Sequence, residues 1–341
     1  MNITIQDVAK KANVSVATVS RVMNGNYPVK AETRDRVLKV IEELNYIPNI
    51  QARELTKQKS TAIGIVVPSI NNMFFTELIN GIESEAKMNS LSIILACTND
   101  DSEEERKCIN NFISRNVSGI IAAGPNIQNI RNKFYENISY KLPIVFINSE
   151  YSCSNISYVS ADETLGAETA LDYLKNNGHT NILFVRGKDS YSYDIKEKVY
   201  KDFMTKYSHF DSNKIINIGN GNKIETVDNT MNIFLNILKD FSFTAVFACN
   251  DLMAVGILNA CKRLGIKVPN EISIIGFDNI HLSTLIEPKL TTIDQNMFLL
   301  GVNSAKLLIE KINSNNKSSR KIIIDTSLVK RNTVNNLKVN I

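Results

Sequence analysis

The chain has 341 residues and a mass of 38.2 kDa, which is too long for one compact core and predicts two or three domains. Its composition, 43% hydrophobic and 22% charged, excludes intrinsic disorder, and no apolar run approaches the roughly 20 residues that cross a bilayer. Five scattered cysteines without a CxxC pair exclude a disulfide framework and a thiolate zinc site, so we expect a cytoplasmic protein without metal or cofactor. The whole net charge of +4 lies in residues 1–60, which hold ten Lys and Arg against six Asp and Glu, as a phosphate-binding module would need.

Three short helices are predicted in residues 1–48, which we call the headpiece. Thr4 and Asp7 form a Ser/Thr-x-x-acid start to the first helix, and Ser15 can cap the second. A third helix is predicted at roughly Ala31 to Leu44. Two short helices joined by a tight turn and braced by a third form a helix-turn-helix, whose second helix can enter a DNA major groove. The alternative is a plain three-helix domain.

A linker is predicted at residues 49–59. Pro48 ends the third helix because it forces the preceding residue out of the α region. About ten residues with few apolar side chains cannot hold a helix alone in water. Without a partner, this segment is therefore expected to be a linker.

From Ser60 onward, apolar β-type runs alternate with helical stretches, which predicts parallel sheets covered by helices in two lobes. The predicted strands are Ala62–Val67, Leu91–Ala96, Gly119–Ala123, Pro143–Ile147, Asn181–Val185, Thr244–Ala248 and Ile272–Gly276. We place the first lobe at about 60–161 with a crossover segment at 292–322, and the second at about 162–291 with 323–341. The fold class is thus a helical headpiece followed by a two-lobed α/β body.

Ligands of parallel sheets bind beyond the carboxyl ends of the strands, where this chain places aromatic, amide and carboxylate side chains. They include Ser69, Phe74, Asp100, Asn250 and Asp278. An aromatic face opposed by carboxylates and amides is how proteins hold sugars and nucleobases. The same Asn and Asp residues can instead cap the helices that follow them.

An enzyme is not expected. The three histidines are scattered without metal-ligand spacing or a nucleophile beside them, and the chain has no GxxxxGK[ST] loop. A binding protein for transport would share the two lobes but would lack the headpiece.

Several stretches resemble the lactose-repressor family of bacterial transcription regulators. They are TIQDVAKKANVSVATVSRVMNG and TRDRVLKVIEELNYIPN in the headpiece, which is closest to the catabolite-control branch, and ACNDLMAVGIL, VPNEISIIGFDN and LTTIDQNMFLLG in the body. The resemblance implies a body like that of periplasmic binding proteins. It also implies a repressor that binds a palindromic operator in double-stranded DNA as a homodimer, with its affinity modulated by a small-molecule effector.

The resemblance assigns DNA contacts to particular positions. Base edges would be read by Val16, Ala17 and Arg21, and phosphates would be held by Thr4, Ser15, Thr18, Ser20, Asn24 and Tyr46. Paired hinge helices would enter the minor groove through Asn49, Ala52, Arg53 and Leu55. Leu55 matches the leucine that the family inserts between bases, which unstacks a base step and bends the DNA.

The resemblance also assigns the effector site, for a sugar, a sugar phosphate or a nucleobase-like molecule. Its residues would be Ser69, Phe74, Asp100, Lys196, Asn250 and Asp278. Lys196 stands where many sugar-responsive members carry an arginine, and lysine cannot fork across two hydroxyls, which weakens the case for a free sugar. The catabolite-control branch also responds to a phosphorylated phosphocarrier protein. Phe298, Lys306 and Glu310 match its docking helix only in part, so this partner is not assigned.

Overall fold

The computed structural model describes residues 3–25, 27–47, 60–149, 155–314 and 318–340. It contains two compact units, Met1–Ser60 and Thr61–Ile341, each with its own core. We call the second unit the body. The predicted linker at residues 49–59 lies outside the described residues.

The headpiece consists of α1 (Ile5–Ala12), α2 (Val16–Asn24) and α3 (Ala31–Glu43). Thr4 and Asp7 form a capping box at α1, and Asn13 ends this helix in the left-handed conformation with φ of 52°. Ser15 caps α2, whereas no side chain caps the start of α3. The buried core is Val8, Ala9, Ala12, Val19, Val22, Val37 and Val40. The predicted helix-turn-helix is therefore confirmed.

The first lobe of the body is built on a six-stranded sheet in which every pairing is parallel. Its strands are β1 (Ala62–Val67), β2 (Ser92–Cys97), β3 (Ile120–Ala123), β4 (Ile144–Ile147), β5 (Ile156–Ala161) and β11 (Lys321–Ile324), in the order β11-β5-β4-β3-β1-β2. β3 and β4 are fully buried apolar strands, as a sheet covered on both faces requires. The covering helices are α4 (Met73–Met88), α5 (Ser102–Ser114), α6 (Ile127–Arg131), α7 (Phe134–Ser139) and α13 (Met297–Asn313).

The second lobe is built on a four-stranded parallel sheet in the order β7-β6-β8-β9. Its strands are β6 (Ile182–Arg186), β7 (Ile215–Asn217), β8 (Ala245–Ala248) and β9 (Ser273–Ile275). Its helices are α8 (Glu163–Asn176), α9 (Tyr191–Tyr207), α10 (Thr226–Ile237), α11 (Asp251–Leu264) and α12 (Leu282–Leu285). One continuous core of aliphatic and aromatic side chains fills this lobe.

Three chain segments connect the lobes. The first runs from β5 into α8, the second from β10 (Thr292–Asp294) into α13, and the third from β11 into β12 (Ser327–Val329). β10 and β12 pair antiparallel. The boundary expected at about residue 322 falls inside β11, because this whole strand pairs with β5. The return to the second lobe therefore follows Ile324.

The helices α4 and α13 cross at very close range. A side chain at Gly81 would collide with the backbone carbonyl of Phe298, and one at Gly301 would collide with the carbonyl of Leu78. Each helix thus presents a glycine to the backbone of the other. This contact joins the late segment α13 firmly to the first lobe.

Candidate DNA-binding and ligand-binding sites

The N-terminal half of α2 presents a slim, solvent-exposed face. Val16 is 41% exposed, although it is apolar, and Ala17 and Arg21 are exposed beside it. The guanidinium carbon of Arg21 lies 5.3 Å from the centre of the Tyr27 ring, which is a cation–π stack. The stack leaves the planar fork of Arg21 at the surface, where it can reach a base edge.

Several residues predicted to hold phosphates already serve the headpiece as caps. The Ser15 hydroxyl lies 2.9 Å from that of Thr18 and accepts a hydrogen bond from the Thr18 amide at 3.2 Å. The Thr4 hydroxyl donates to the Asp7 carboxylate at 2.7 Å, and the hydrogen bonds from Thr4 lower the pKa of Asp7. In the same set, Asn24 Nδ2 donates to Ser20 Oγ at 3.2 Å, and Tyr46 is half-buried against the headpiece core. Exposed Thr4 and Ser15 stay accessible from outside.

The four hinge residues predicted for the minor groove, Asn49, Ala52, Arg53 and Leu55, lie outside the described residues. Their contacts stay a prediction.

A cleft of about 660 Å³ lies between the lobes, at the carboxyl ends of the strands of both sheets. We call it the interlobe cleft. Five of the six residues predicted to bind an effector line it, namely Phe74, Asp100, Lys196, Asn250 and Asp278. Ser69 is not among the lining residues; its hydroxyl accepts a hydrogen bond from the Asn71 amide at 3.1 Å, which forms the turn before α4.

The first lobe contributes an aromatic pair and a carboxylate to the interlobe cleft. The rings of Phe74 and Phe75 pack edge to face with centroids 5.2 Å apart, at the start of α4. Asp100 follows β2 with a positive φ of 61°. Desolvation between the cleft walls raises the pKa of Asp100, and the charge of Lys223 partly opposes this shift.

Asn250 is a helix cap, as the alternative interpretation of the sequence allowed. Its Oδ1 accepts a hydrogen bond from the Met253 amide at 2.9 Å, at the start of α11. Its Nδ2 donates to the carbonyl of Gly221 at 2.8 Å and to the Tyr193 hydroxyl at 3.3 Å. Both ends of this amide are therefore used within the protein.

Asp278 lies just beyond β9, is only 7% exposed and has a positive φ of 115°. Its Oδ1 accepts a hydrogen bond from Gln295 Nε2 at 2.5 Å. Burial raises the pKa of Asp278 to about 7, although the nearby charge of Lys196 and the bond from Gln295 act in the opposite direction.

Lys196 is buried in the second-lobe wall, with only 1% of its surface exposed. Its ammonium nitrogen lies 2.8 Å from Ser192 Oγ, 3.3 Å from the Cys249 carbonyl oxygen and 3.5 Å from Glu163 Oε1. It also stands 3.9 Å from the centre of the Phe277 ring. Lys196 therefore occupies the predicted place but is held by the protein itself.

The sequence reasoning missed several polar residues that line the interlobe cleft, among them Tyr193 and Gln295. The Tyr193 hydroxyl donates to Asn222 Oδ1 at 2.8 Å, and Gln295 holds Asp278 as described above. Tyr193 lies in the first turn of the helix after β6, so the rule that ligands bind beyond strand ends would have found it. Gln295 lies on a connection between the lobes, which no local pattern marks.

Two further findings concern metal sites and membrane-spanning helices. Across the described residues, no three His, Cys, Asp or Glu side chains are arranged to hold a metal ion. No helix within these residues is both long and apolar enough to cross a membrane.

Comparisons with known families and proteins show what the chain is similar to. Residues 4–49 match the model of bacterial regulatory proteins of the lacI family, and residues 171–334 match a periplasmic binding protein-like domain. Catabolite control protein A of Priestia megaterium is 36% identical over 332 residues, which cover 96% of each chain.

Solved structures agree with this placement. The lac repressor dimer bound to operator and the anti-inducer ONPF is 25% identical, with a TM-score of 0.84 over 98% of this chain and 100% of that one. A LacI family transcriptional regulator from Enterococcus faecium with bound ribose is 28% identical, with a TM-score of 0.71 over 81% of this chain and 99% of that one. The chain therefore belongs to the lacI family of bacterial regulatory proteins, and it is a DNA-binding transcriptional regulator with a two-lobed body rather than an enzyme.

Proposed function

We propose that the protein is a cytoplasmic repressor that binds a palindromic operator as a homodimer, and that a small polar molecule in the interlobe cleft sets its affinity for DNA. The observation that carries this proposal is the exposed face of α2, where Val16, Ala17 and Arg21 stand clear of the headpiece core. In the related lac repressor structure, a dimer is bound to operator.

In this proposal the exposed face of α2 reads the base sequence of the operator. The Arg21 guanidinium can donate two hydrogen bonds to one guanine in the major groove. Val16 and Ala17 offer only apolar contact, which suits the methyl group of thymine. The hydroxyls and amides around them hold phosphates and fix the register of the helix without reading bases.

The hinge provides a second contact with DNA. In this proposal the headpiece ends at residue 48, residues 49–59 form a helix on the operator, and residues 60–341 bind the effector and the second subunit. Leu55 enters the minor groove at a central base step, flanked by Asn49, Ala52 and Arg53. Because each chain carries one Leu55, two inserted leucines require two chains. A dimer would also cover exposed apolar side chains of the first lobe, such as Leu95 on the edge strand β2, Ile70 in the loop after β1 and Met73 at the start of α4.

Ligand control follows from the cleft between two lobes that three segments connect. A ligand that touches both walls favours one angle between the lobes, and that angle sets the spacing of the two hinges in the dimer. Coupling of this kind is typically worth about 1–3 kcal/mol, or roughly 5–150-fold in affinity.

A phosphocarrier co-regulator stays a prediction. All three residues that partly match its docking helix are exposed, and two of them form ion pairs, Lys306 with Glu85 at 4.0 Å and Glu310 with Arg320. We assign no docking surface on this basis.

Selection of bound sequences from random DNA by the purified full-length protein, at fixed salt, tests the proposal. We expect an enriched palindrome with a flexible pyrimidine–purine step at its centre. Failure to enrich any sequence, with and without candidate ligands, would overturn the assignment of an operator-binding dimer.

Leu55→Ala tests the hinge on the selected operator. It should weaken operator binding by at least about tenfold, because unstacking and bending no longer occur, while non-specific DNA binding changes little. Gel-shift titrations on operator and on scrambled DNA measure both, and an equal loss on the two DNAs would exclude the wedge.

A further inference from the structure

We infer that the interlobe cleft selects a small hydroxyl-rich ligand that carries an ammonium group, as an amino sugar does, and discriminates against phosphorylated sugars. This inference rests on the proposed function, because it names the ligand class of the same cleft.

Among the described residues that line the cleft, one cation, Lys196, is buried, and the protein itself already uses it. The ammonium of Lys196 has three protons, and three oxygen atoms lie within 3.5 Å of it, on Ser192, Cys249 and Glu163. The ring of Phe277 covers it as well. To bind a phosphoryl group, Lys196 would have to leave Glu163 as a buried and unpaired carboxylate, which is costly.

Among the described residues, the other cations that line the cleft stand at its rim, and half-buried Lys223, next to the lining residue Asn222, acts on Asp100 through its charge. Arg131 and Lys188 are exposed, so water and salt screen them, and Lys188 already lies 3.8 Å from the Asp189 carboxylate. Neither can replace a buried guanidinium aimed into the cleft, which is the usual partner of a phosphate.

The helix N-termini that open on the cleft are also occupied. Four of these helices carry their own side-chain cap, with Asn72 on α4, Asp101 on α5, Asn126 on α6 and Asn250 on α11. The helix α9 has no such cap, but Asp189 and Asp194 stand at its start and in its first turn. Both are in ion pairs, Asp194 with Arg186 at 2.6 Å and Asp189 with Lys188 at 3.8 Å, but they still stand at the positive end of the helix and make it less favourable for a phosphate.

Asp278 and Asp100 of the cleft form no ion pair among the described residues, although the charges of Lys196 and Lys223 act on them from a distance. Within the described residues, Asp278 accepts a hydrogen bond only from the neutral amide of Gln295, and its Oδ2 has no partner. The side chain of Asp100 has neither a hydrogen bond nor an ion pair there, and the charge of Lys223 acts on it only from a distance. An ammonium group can satisfy either carboxylate, whereas an uncharged hydroxyl satisfies it less strongly.

The hydroxyl of Tyr193 lies in this wall of the cleft. Burial raises its pKa well above the usual value of a tyrosine, and the carboxylates of Asp278, Asp100 and Glu163 raise it further, whereas the Cys249 thiol is neutral because burial raises its pKa to about 12. A phosphate placed beside Asp278 and Asp100 would be repelled by their carboxylates, and a cation would be attracted. The Phe74 face adds a surface on which a sugar ring or an ammonium can lie.

Isothermal titration of the full-length protein with isosteric pairs tests the inference. Glucosamine and glucose, galactosamine and galactose, and mannosamine and mannose differ only in an ammonium for a hydroxyl, and glucose 6-phosphate adds the phosphate. We expect the amine of at least one pair to bind about tenfold or more tighter than its twin, as a charged hydrogen bond predicts. Glucose 6-phosphate should bind more weakly than that amine.

Two variants show which carboxylate is responsible for the preference for the amine. Asp278→Asn and Asp100→Asn are tested separately, and at least one should remove the tenfold advantage of the amine while the affinity for the neutral twin is retained. Asp202→Asn is the matched control, because Asp202 pairs with Lys198 on the exposed face of α9. Melting curves show that each variant is folded.

Three results would overturn the inference. They are an amine that binds no better than its twin in every pair, tighter binding of glucose 6-phosphate, and an advantage that survives in both carboxamide variants. Enrichment of an operator from random DNA together with any of these results would refute the ligand class alone. Failure to enrich DNA would instead refute the proposed function.

Discussion

Replacing Lys196 by methionine should destabilise the body severely. Methionine nearly conserves the volume, so the change mainly removes the ammonium and leaves the Glu163 carboxylate, which is 5% exposed, without its cation. Breaking a buried ion pair in this way costs about 3–5 kcal/mol of unfolding free energy. The lower half of that range applies to the ion pair itself, because the Ser192 hydroxyl still donates to Glu163 at 2.5 Å. Loss of the contact with Phe277 adds roughly 1–2 kcal/mol.

A second variant separates the charge from the packing. Lys196→Met combined with Glu163→Gln has no buried charge at this position, and its stability should exceed that of the single Lys196→Met variant. The interaction energy of the double-mutant cycle should be about 1–3 kcal/mol.

Urea unfolding followed by far-ultraviolet circular dichroism measures these energies, which suits a chain with no tryptophan. The shift of the urea midpoint of the body, multiplied by the m-value, gives the change in unfolding free energy. A loss below about 1 kcal/mol for Lys196→Met, or a double variant no more stable than the single one, would refute our account of a buried charge that needs its partner.

Three further predictions concern other parts of the molecule. Tyr27→Ala should reduce the preference for guanine opposite Arg21 several-fold in a binding-site selection, because the stack no longer orients the guanidinium. Gly81→Ala should lower the unfolding free energy by about 1–3 kcal/mol in urea, since its methyl group would force α4 away from the Phe298 carbonyl. For Asp278, the folded-state pKa is raised to about 7 from 3.8, so the stability linked to its proton is present at low pH and is lost as the pH rises to about 7. Asp278→Asn should therefore raise the melting temperature more at pH 8 than at pH 5.

Two of these predictions have a matched control variant, and the third has a contradicting outcome. Tyr27→Phe keeps the aromatic face and should retain the guanine preference; an unchanged preference in Tyr27→Ala would show that the stack is irrelevant. Asn80→Ala, an exposed position beside Gly81, should change stability little. A melting-temperature difference for Asp278→Asn that is the same at pH 5 and pH 8 would contradict the raised pKa.

Much of the fold was predictable because most of the predicted strands are buried on both faces. The run Ala62–Val67 matches β1 at both ends, and each of the other six predicted strands differs from the structure by no more than one residue at either end. Continuous apolar stretches between turns carry this signal locally. The capping box at Thr4 and the cap at Ser15 were likewise local patterns, and both form.

The state of each cleft residue was not predictable in the same way, since it depends on partners far along the chain. Asn250 is used as a cap and as a donor to Gly221, and Lys196 is neutralised by Glu163, 33 residues earlier. Ser69 turns toward its own loop. A residue type at a strand end thus predicts a position in the cleft, but the hydrogen bonds of the folded state decide which atoms remain for a ligand.

The late arrival of α13 and β11 has a consequence for biosynthesis. While the ribosome is still adding residues up to about 296, the first-lobe sheet lacks its edge strand β11, and the helix that covers the apolar face of α4 does not yet exist. The second lobe is also incomplete until its last segment has been synthesised, because the Ile274 amide donates a hydrogen bond to the carbonyl of Thr333. The headpiece, built from local contacts, can fold long before either lobe is complete. A messenger truncated in the body would therefore yield a finished DNA-binding headpiece on an unfinished, aggregation-prone chain.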